Sequence, residues 1–178
     1  MKWTSLGSAL LLAMMCMALS HAQPAYAASA SEIDREATAA LAQLYSSTPG
    51  AKDLGDKAKG ILIFPSIIKG GFIIGGQYGD GALRQGGKTV RYYRSVAASY
   101  GLQAGVQSFG YALMFMDDAS LAYLDNSEGW EIGTGPSIVI VDAGMARTLS
   151  TSTAKEGIYA FTFSQQGLMA GMGLQGSK

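Results

Sequence analysis

"ALRQGGKT", residues 82–89, fits a loose phosphate-binding pattern: a small residue, four of any kind, then Gly-Lys-Thr. Further on, "SIVIVD" (137–142) is an apolar run ending in an acid, as a magnesium-holding strand would be. A phosphate-cradling loop must come after a buried strand and open directly into a helix, whose N-terminus meets the phosphate. After Thr89 comes "VRYYRSV" (90–96), β-branched and aromatic residues that favour a strand. The segment before the stretch is laced with glycine. "RQGGK" (84–88) therefore reads as the turn of a β-hairpin, with Gly86 and Gly87 supplying positive φ. The run at 137–142 comes after "GTGP" and needs no metal to explain it. A hairpin is predicted here, and a nucleotide hydrolase is not.

Outward from that turn the texture stays β. "ILIFP" (61–65), "GGFIIGGQYGDGAL" (70–83), "YALMFM" (111–116), "GWEIGTGPSIVIVDAG" (129–144) and "GIYAFTFSQQG" (157–167) are rich in strand formers. "GLQAGVQSFG" (101–110) and "GLMAGMGLQG" (167–176) share glycines at the same three offsets, and "GFIIGGQYGDG" (71–81) is a looser third copy. Glycine at every fourth or fifth residue of a β segment lets strands bend sharply and pass close together. The alternative, a helical GxxxG contact, matters mainly in apolar membrane helices. The chain has 24 glycines in 178 residues, roughly twice the usual ~7% share, and no collagen period.

Helical signals sit at the N-terminal side. In "SEIDREATAALAQLYSS" (31–47), Ile33, Ala37, Leu41 and Leu44 fall on one stripe, and Ser31 with Asp34 resembles a capping box. In "TPGAKDLGDKAKG" (48–60), Thr48 as cap, Pro49 at the first position and Gly60 as stop predict a short second helix. "DDASLAYLDNSEG" (117–129) predicts another, capped by Asp117 or Asp118 and stopped by Gly129. No linker divides the chain. The expected class is α+β, an N-terminal helix packed on a curved, glycine-rich, mostly antiparallel and barrel-like sheet.

Residues 1–27 read as a cleaved secretory signal: Lys2, an apolar run at 6–20 too short for a membrane span, and an A-x-A site at 25–27. Residues 28–178 then form a single domain, exported and periplasmic or peripheral to the envelope membrane. Lipidation at Cys16 is the weaker alternative, because the residue before a lipidated cysteine is usually very small and here it is Met15. The only cysteine, Cys16, and the only histidine, His21, would leave with the signal. That removes Ser-His and Cys-His nucleophiles, Cys/His zinc sites and disulfides. No enzyme activity and no cofactor are expected. "DD" and "DNSEG" lack calcium-loop spacing.

Charge is unevenly placed. Lys52, Lys57, Lys59, Lys69, Arg84, Lys88, Arg91 and Arg94 share their stretch with only Asp53, Asp56 and Asp80. The stretch 117–142 holds acids and no base. Net charge is zero, so nucleic acid is not an expected partner. A local basic face suits anionic lipid headgroups. Solvated strand edges, where lysine discourages aggregation, are the plainer reading of the same residues.

"AKGILIFPSIIKGGFIIGGQYGDGAL" (58–83), "SYGLQAGVQSFGYALMFM" (99–116) and "IYAFTFSQQGLMAGMGLQG" (158–176) together resemble the SYLF family, in that order and over nearly all of the mature chain. The resemblance would place Lys59, Lys69, Gly70, Gly71, Gly75 and Gly76 in the family's first signature, and Gly101, Gln103 and Gly105 in its second. Bacterial members often carry Trp-Ser-x-Pro before the second signature; here "TVRYYRSV" occupies that place. The resemblance implies binding of phosphoinositides and other anionic lipids, with no catalytic residue. In eukaryotic members it also implies actin binding, which an export signal makes improbable. The candidate lipid-binding residues are Lys57, Lys59, Lys69, Arg84, Lys88, Arg91 and Arg94, facing an anionic membrane surface. The competing expectation is a structural protein of the envelope that binds another protein.

Overall fold

The computed structural model describes residues 28–126, 129–131, 138–141, 156–167 and 175–177. The proposed signal and residues 168–174 of the glycine motif at 167–176 lie outside them. Helices α1 (Ala30–Ser47) and α2 (Ala51–Gly55) precede strands β1 (Gly60–Gln85) and β2 (Lys88–Phe115). Helix α3 (Asp118–Asn126) and strands β3 (Gly129–Glu131), β4 (Ile138–Val141), β5 (Ile158–Gly167) and β6 (Gln175–Ser177) complete the order. The class is α+β, as the sequence predicts. The main sheet has the order β1-β2-β5-β4, and β3 pairs with β6 separately. The β1–β2 and β2–β5 pairs are antiparallel and β4–β5 is parallel, so the sheet is mixed. Among the described residues no pair joins β4 to β1, so the sheet is open, with two edges, and the expected barrel-like closure is not there.

The stretch that resembles a phosphate loop is a two-residue hairpin turn. Gln85 pairs with Lys88, and Gly86 and Gly87 between them have φ of 55° and 80°. Two successive positive φ values define the type I′ turn, whose twist matches its strands. A straight strand as long as β1 would span about 85 Å at ~3.3 Å per residue. It is not straight. A Cβ placed on Gly81 would lie 2.5 Å from Phe64 Cδ1 and 2.6 Å from the Ile63 carbonyl oxygen. One placed on Gly79 would lie 2.7 Å from the Ser66 carbonyl oxygen. The far half of β1 thus folds back against its near half. Ladder irregularities at Phe64/Ile67 and Phe72/Ile74 interrupt the strand between those contacts. Bulges are the ordinary means of bending a strand so sharply.

Bending gives the hairpin an outer and an inner face, both buried near the helices. The outer face carries Ile61, Ile63, Ala82, Ala112 and Met114, joined by Phe161 of β5 and covered by Ile33, Ala37, Ala40 and Leu44 of α1. Alanines on the helix let it approach the sheet closely. The inner face carries Leu62, Phe64, Ile67, Leu83, Tyr93, Phe109 and Tyr111, with Leu124 of α3. Each fully buried side chain of this size stabilises the fold by about 1.5–3 kcal/mol.

The helix boundaries differ from expectation in instructive ways. The cap of α1 is Ser29, whose Oγ accepts from Glu32 N at 3.3 Å, so Ser31 is not the cap. The short α2 starts two residues later than Pro49 suggests, with Gly50 as its cap at φ 76°. Helix α3 begins after Asp117, whose Oδ1 accepts from Ser120 N at 2.7 Å. It ends by Asn126, and Gly129 opens β3 instead of stopping the helix.

Candidate basic headgroup site

The basic residues picked out in the sequence divide into three groups. Lys57, Lys59 and Lys88 are exposed, and none has a carboxylate at ion-pair distance among the described residues. Lys57 and Lys59 lie on the link from α2 to β1, and Lys88 opens β2. The fold brings these segments together. A cleft of about 380 Å³ is lined by Leu41 and Tyr45 of α1, by Gly55, Asp56, Ala58 and Ile61, and by Arg84, Gly86 and Gly87 of the hairpin end. Lys57 lies between two lining residues, and Lys59 and Lys88 are each next in sequence to another. Exposed Val90 is two residues further on.

Arg84, Arg91 and Arg94 each have a polar partner within the chain, Arg91 and Arg94 in ion pairs whose guanidinium side is exposed. Arg84 Nη2 donates to the Asp34 carbonyl oxygen at 2.9 Å and to Thr38 Oγ1 at 2.6 Å, tying the hairpin to α1. Arg91 pairs with Asp125 of α3 and also donates to Tyr93 Oη at 3.3 Å. Arg94 Nε donates to Asp80 Oδ1 at 2.7 Å, with its guanidinium 5.3 Å from the centre of the Tyr78 ring. The Tyr78 hydroxyl donates to the other Asp80 oxygen at 2.8 Å. Arg91 and Arg94 also point to opposite faces of the hairpin. Arg91 is paired with Leu83 of the inner face, and Arg94 shares the outer face with exposed Tyr78 and Val96. Lys69 is only 8% exposed and belongs to the inner face, away from the other lysines. The seven residues therefore do not form one basic surface.

Two of the acids of 117–126, Asp117 and Asp125, have partners within the chain. Asp117 caps α3, and that backbone hydrogen bond from Ser120 holds its carboxyl below the usual range. Among the described residues no three metal-ligating side chains gather. No helix among them is long and apolar enough to cross a membrane, a statement that does not bear on strands.

Sequence reading missed Asp34. Its Oδ1 accepts from Thr89 Oγ1 at 2.7 Å and its Oδ2 from the Tyr92 hydroxyl at 2.9 Å. These two hydrogen bonds, Thr89 first, hold its carboxyl below the ordinary aspartate value of 3.8, against an opposing effect of burial and with a lesser contribution from Arg84. A carboxylate with a depressed folded pKa stabilises the fold above its unfolded pKa, and that contribution is lost as pH falls through the folded value. Asp34→Asn should therefore lower the melting temperature at pH 7. The gap to the parent should close as pH drops below about 4. Thermal melts across pH 2.5–7 read this; a gap that does not change with pH would show that the carboxylate's charge is not what matters.

Tyr45 completes the cleft wall. Its ring lies over Gly55, where a Cβ would collide with the hydroxyl. Burial raises its pKa, Asp56 raises it further, and Arg84 opposes both. The cleft thus joins apolar side chains, one guanidinium and one carboxylate, and the segments that wall it carry Lys57, Lys59 and Lys88 next to lining residues. Compared with known proteins, the chain matches no family model and no curated protein.

Proposed function

We propose that this chain is an exported, non-catalytic domain that binds anionic phospholipid headgroups, of phosphatidylglycerol or phosphoinositide type, at a membrane surface. The observation that carries the reading is that Lys57, Lys59 and Lys88, exposed and without an ion-pair partner among the described residues, each adjoin in sequence a residue that lines one cleft. Three mobile ammonium groups at one end of a rigid hairpin can track phosphates in a bilayer plane, each stabilising contact by about 1 kcal/mol. Arg84 behind them adds positive potential without leaving α1. The resemblance to the SYLF family supports the same reading. In it, the folded-back hairpin is the wall of a curved, glycine-rich scaffold, and the domain resides in the periplasm or against the envelope membrane.

Vesicle flotation tests the proposal. Binding should rise with the fraction of anionic lipid and fall as salt goes from about 0.05 to 0.5 M, because exposed charges are screened within a Debye length of ~10 Å at 0.1 M and ~3 Å at 1 M. Equal flotation with purely zwitterionic vesicles would refute it.

One observation favours a second reading. Ile68 and Val106, diagonal neighbours across β1 and β2, are exposed on the outer face of the hairpin, and an exposed apolar pair suits a protein partner in the envelope. Pull-down from envelope components, compared with flotation on lipid alone, separates the two.

A further inference from the structure

The cleft at the turn end of the hairpin brings together a guanidinium, a carboxylate and a phenol hydroxyl from separate segments: Arg84 of β1, Asp56 just after α2 and Tyr45 of α1. Arg84 is held in place. Its Nη2 donates to the Asp34 carbonyl oxygen at 2.9 Å and to Thr38 Oγ1 at 2.6 Å, and Thr38 donates to the same carbonyl at 2.7 Å. The other two nitrogens have no partner among the described residues. Nε is buried, an unfavourable state for a charged donor, and Nη1 is not closed off from solvent. A guanidinium fixed at one corner with donors left over is preorganised for an oxyanion.

Asp56 sets what else the ligand carries. Its Oδ2 accepts from Lys52 Nζ at 2.6 Å, in a pair exposed on both sides. The charge is thus already balanced, and the other oxygen suits a neutral donor, a hydroxyl, better than a second ammonium. The Tyr45 hydroxyl feels both charges: burial raises its pKa, Asp56 raises it further and Arg84 opposes them. Leu41, Ala58 and Ile61 supply apolar surface for a short carbon skeleton. The volume, about 380 Å³, holds roughly a dozen waters at ~30 Å³ each, and so a group of about ten heavy atoms. A Cβ on Gly86 or Gly87 would meet nothing within 4 Å, so the hairpin side of the cleft stays open.

We propose that this cleft holds one phosphodiester headgroup with free hydroxyls, a polyol of the phosphoglycerol kind, its phosphate on Arg84 and a headgroup hydroxyl donating to Asp56. Asp56 then determines specificity, favouring a polyol over an equally charged phosphodiester without hydroxyls. The choice of phosphate over other oxyanions rests on the lipid reading above; the demand for hydroxyls rests on Asp56. General attraction of basic residues to an anionic bilayer makes no such distinction.

The test follows the Arg84 Nε resonance in protein with nitrogen-labelled arginine, assigned by its loss in Arg84→Lys. Glycerophosphoglycerol should shift it and saturate. Dimethyl phosphate, of the same charge but without hydroxyls, and inorganic phosphate should bind at least about tenfold more weakly, the usual effect of losing a hydrogen bond to a charged acceptor. Asp56→Ala should bring glycerophosphoglycerol to within about threefold of dimethyl phosphate. Its melting temperature should stay within about 2 °C of the parent, because an exposed ion pair contributes little. Vesicles of phosphatidylglycerol and of phosphatidylmethanol, each at the same fraction in zwitterionic lipid, carry equal surface charge; the parent should float several-fold more on the first, and Asp56→Ala equally on both. An Arg84 resonance that glycerophosphoglycerol does not move overturns the site. Equal affinity for the three soluble ligands overturns it too, by revealing a bare anion site, as does a preference for hydroxyls that survives Asp56→Ala. Selective binding of the soluble diester with equal flotation upholds the site and makes its ligand a free polyol phosphate. Equal flotation with Arg84 silent sinks this inference and leaves the membrane reading standing. Hydroxyl-selective binding at Arg84 without flotation on either vesicle sinks the membrane reading alone.

Discussion

Replacing Lys57, Lys59 and Lys88 together with glutamate should lower partition onto anionic vesicles by at least about a hundredfold, since each basic residue near such a surface contributes ~1 kcal/mol. Reversal removes three attractions and adds three repulsions, so the loss exceeds that of neutral substitution. The fold should be spared. All three side chains are exposed, and surface changes of this kind usually stay within about 0.5 kcal/mol. The informative controls are Arg91→Gln and Arg94→Gln. Their guanidiniums are held by Asp125 and Asp80, so their net contribution to an approaching bilayer is small and binding should stay within about threefold of the parent. Flotation or surface-plasmon measurements on the same vesicles give all three values. Parent-like binding by the lysine variant would remove these three lysines as the docking surface. Equal losses from the arginine variants would show that overall charge, not this end of the molecule, governs association.

The division between lysines and arginines explains how far the sequence can be read. The turn at Gly86 and Gly87 is local, fixed by two residues that tolerate positive φ, and so are the helical stripe of α1 and the strand texture on either side. The ion pairs are not local. A strict two-residue hairpin sets Asp80 opposite Tyr93. The irregularity between Leu83 and Arg84 shifts the register, so that Asp80 meets Arg94 and Arg91 meets Leu83. A one-residue slip sends every side chain of a strand to the other face. Nothing in "LRQGGKT" announces that slip, and without it the arginines that face solvent cannot be told from those that do not. Asp34 is hidden for a related reason. Its partners, Thr89 and Tyr92, lie more than fifty residues away and reach it only because α1 lies across the hairpin. Read locally, Asp34 looks like half of a capping box, while the cap itself is Ser29, just before the stretch with the helical stripe. The free lysines are legible as residues but not as a group, because their proximity depends on the α2–β1 link packing beside the hairpin turn.

Gly81→Ala should destabilise the protein by about 3 kcal/mol, the upper range for overpacking a tight interior. For a chain of this size that lowers the melting temperature by roughly 6–12 °C. The cause is steric and not conformational, since Gly81 is not among the residues with positive φ. The new methyl group would meet the Phe64 ring at 2.5 Å and the Ile63 carbonyl oxygen at 2.6 Å. The ring can turn aside, but the carbonyl belongs to a paired strand and cannot. Gly76→Ala is the matched control in the same strand: its nearest neighbour is the Ala97 carbonyl oxygen at 3.9 Å, an ordinary contact, so its effect should be near zero. The sharper test is a double-mutant cycle of Gly81→Ala with Phe64→Leu. In a straight strand these positions lie about 55 Å apart and their effects add. In the folded-back hairpin the smaller leucine relieves part of the collision, and the double variant should be at least about 1 kcal/mol more stable than the sum of the single effects. Chemical denaturation of the four proteins measures the coupling. Strict additivity would mean that β1 does not return on itself, and the inner face that carries Phe64, Ile67 and Leu83 would then have no opposite wall.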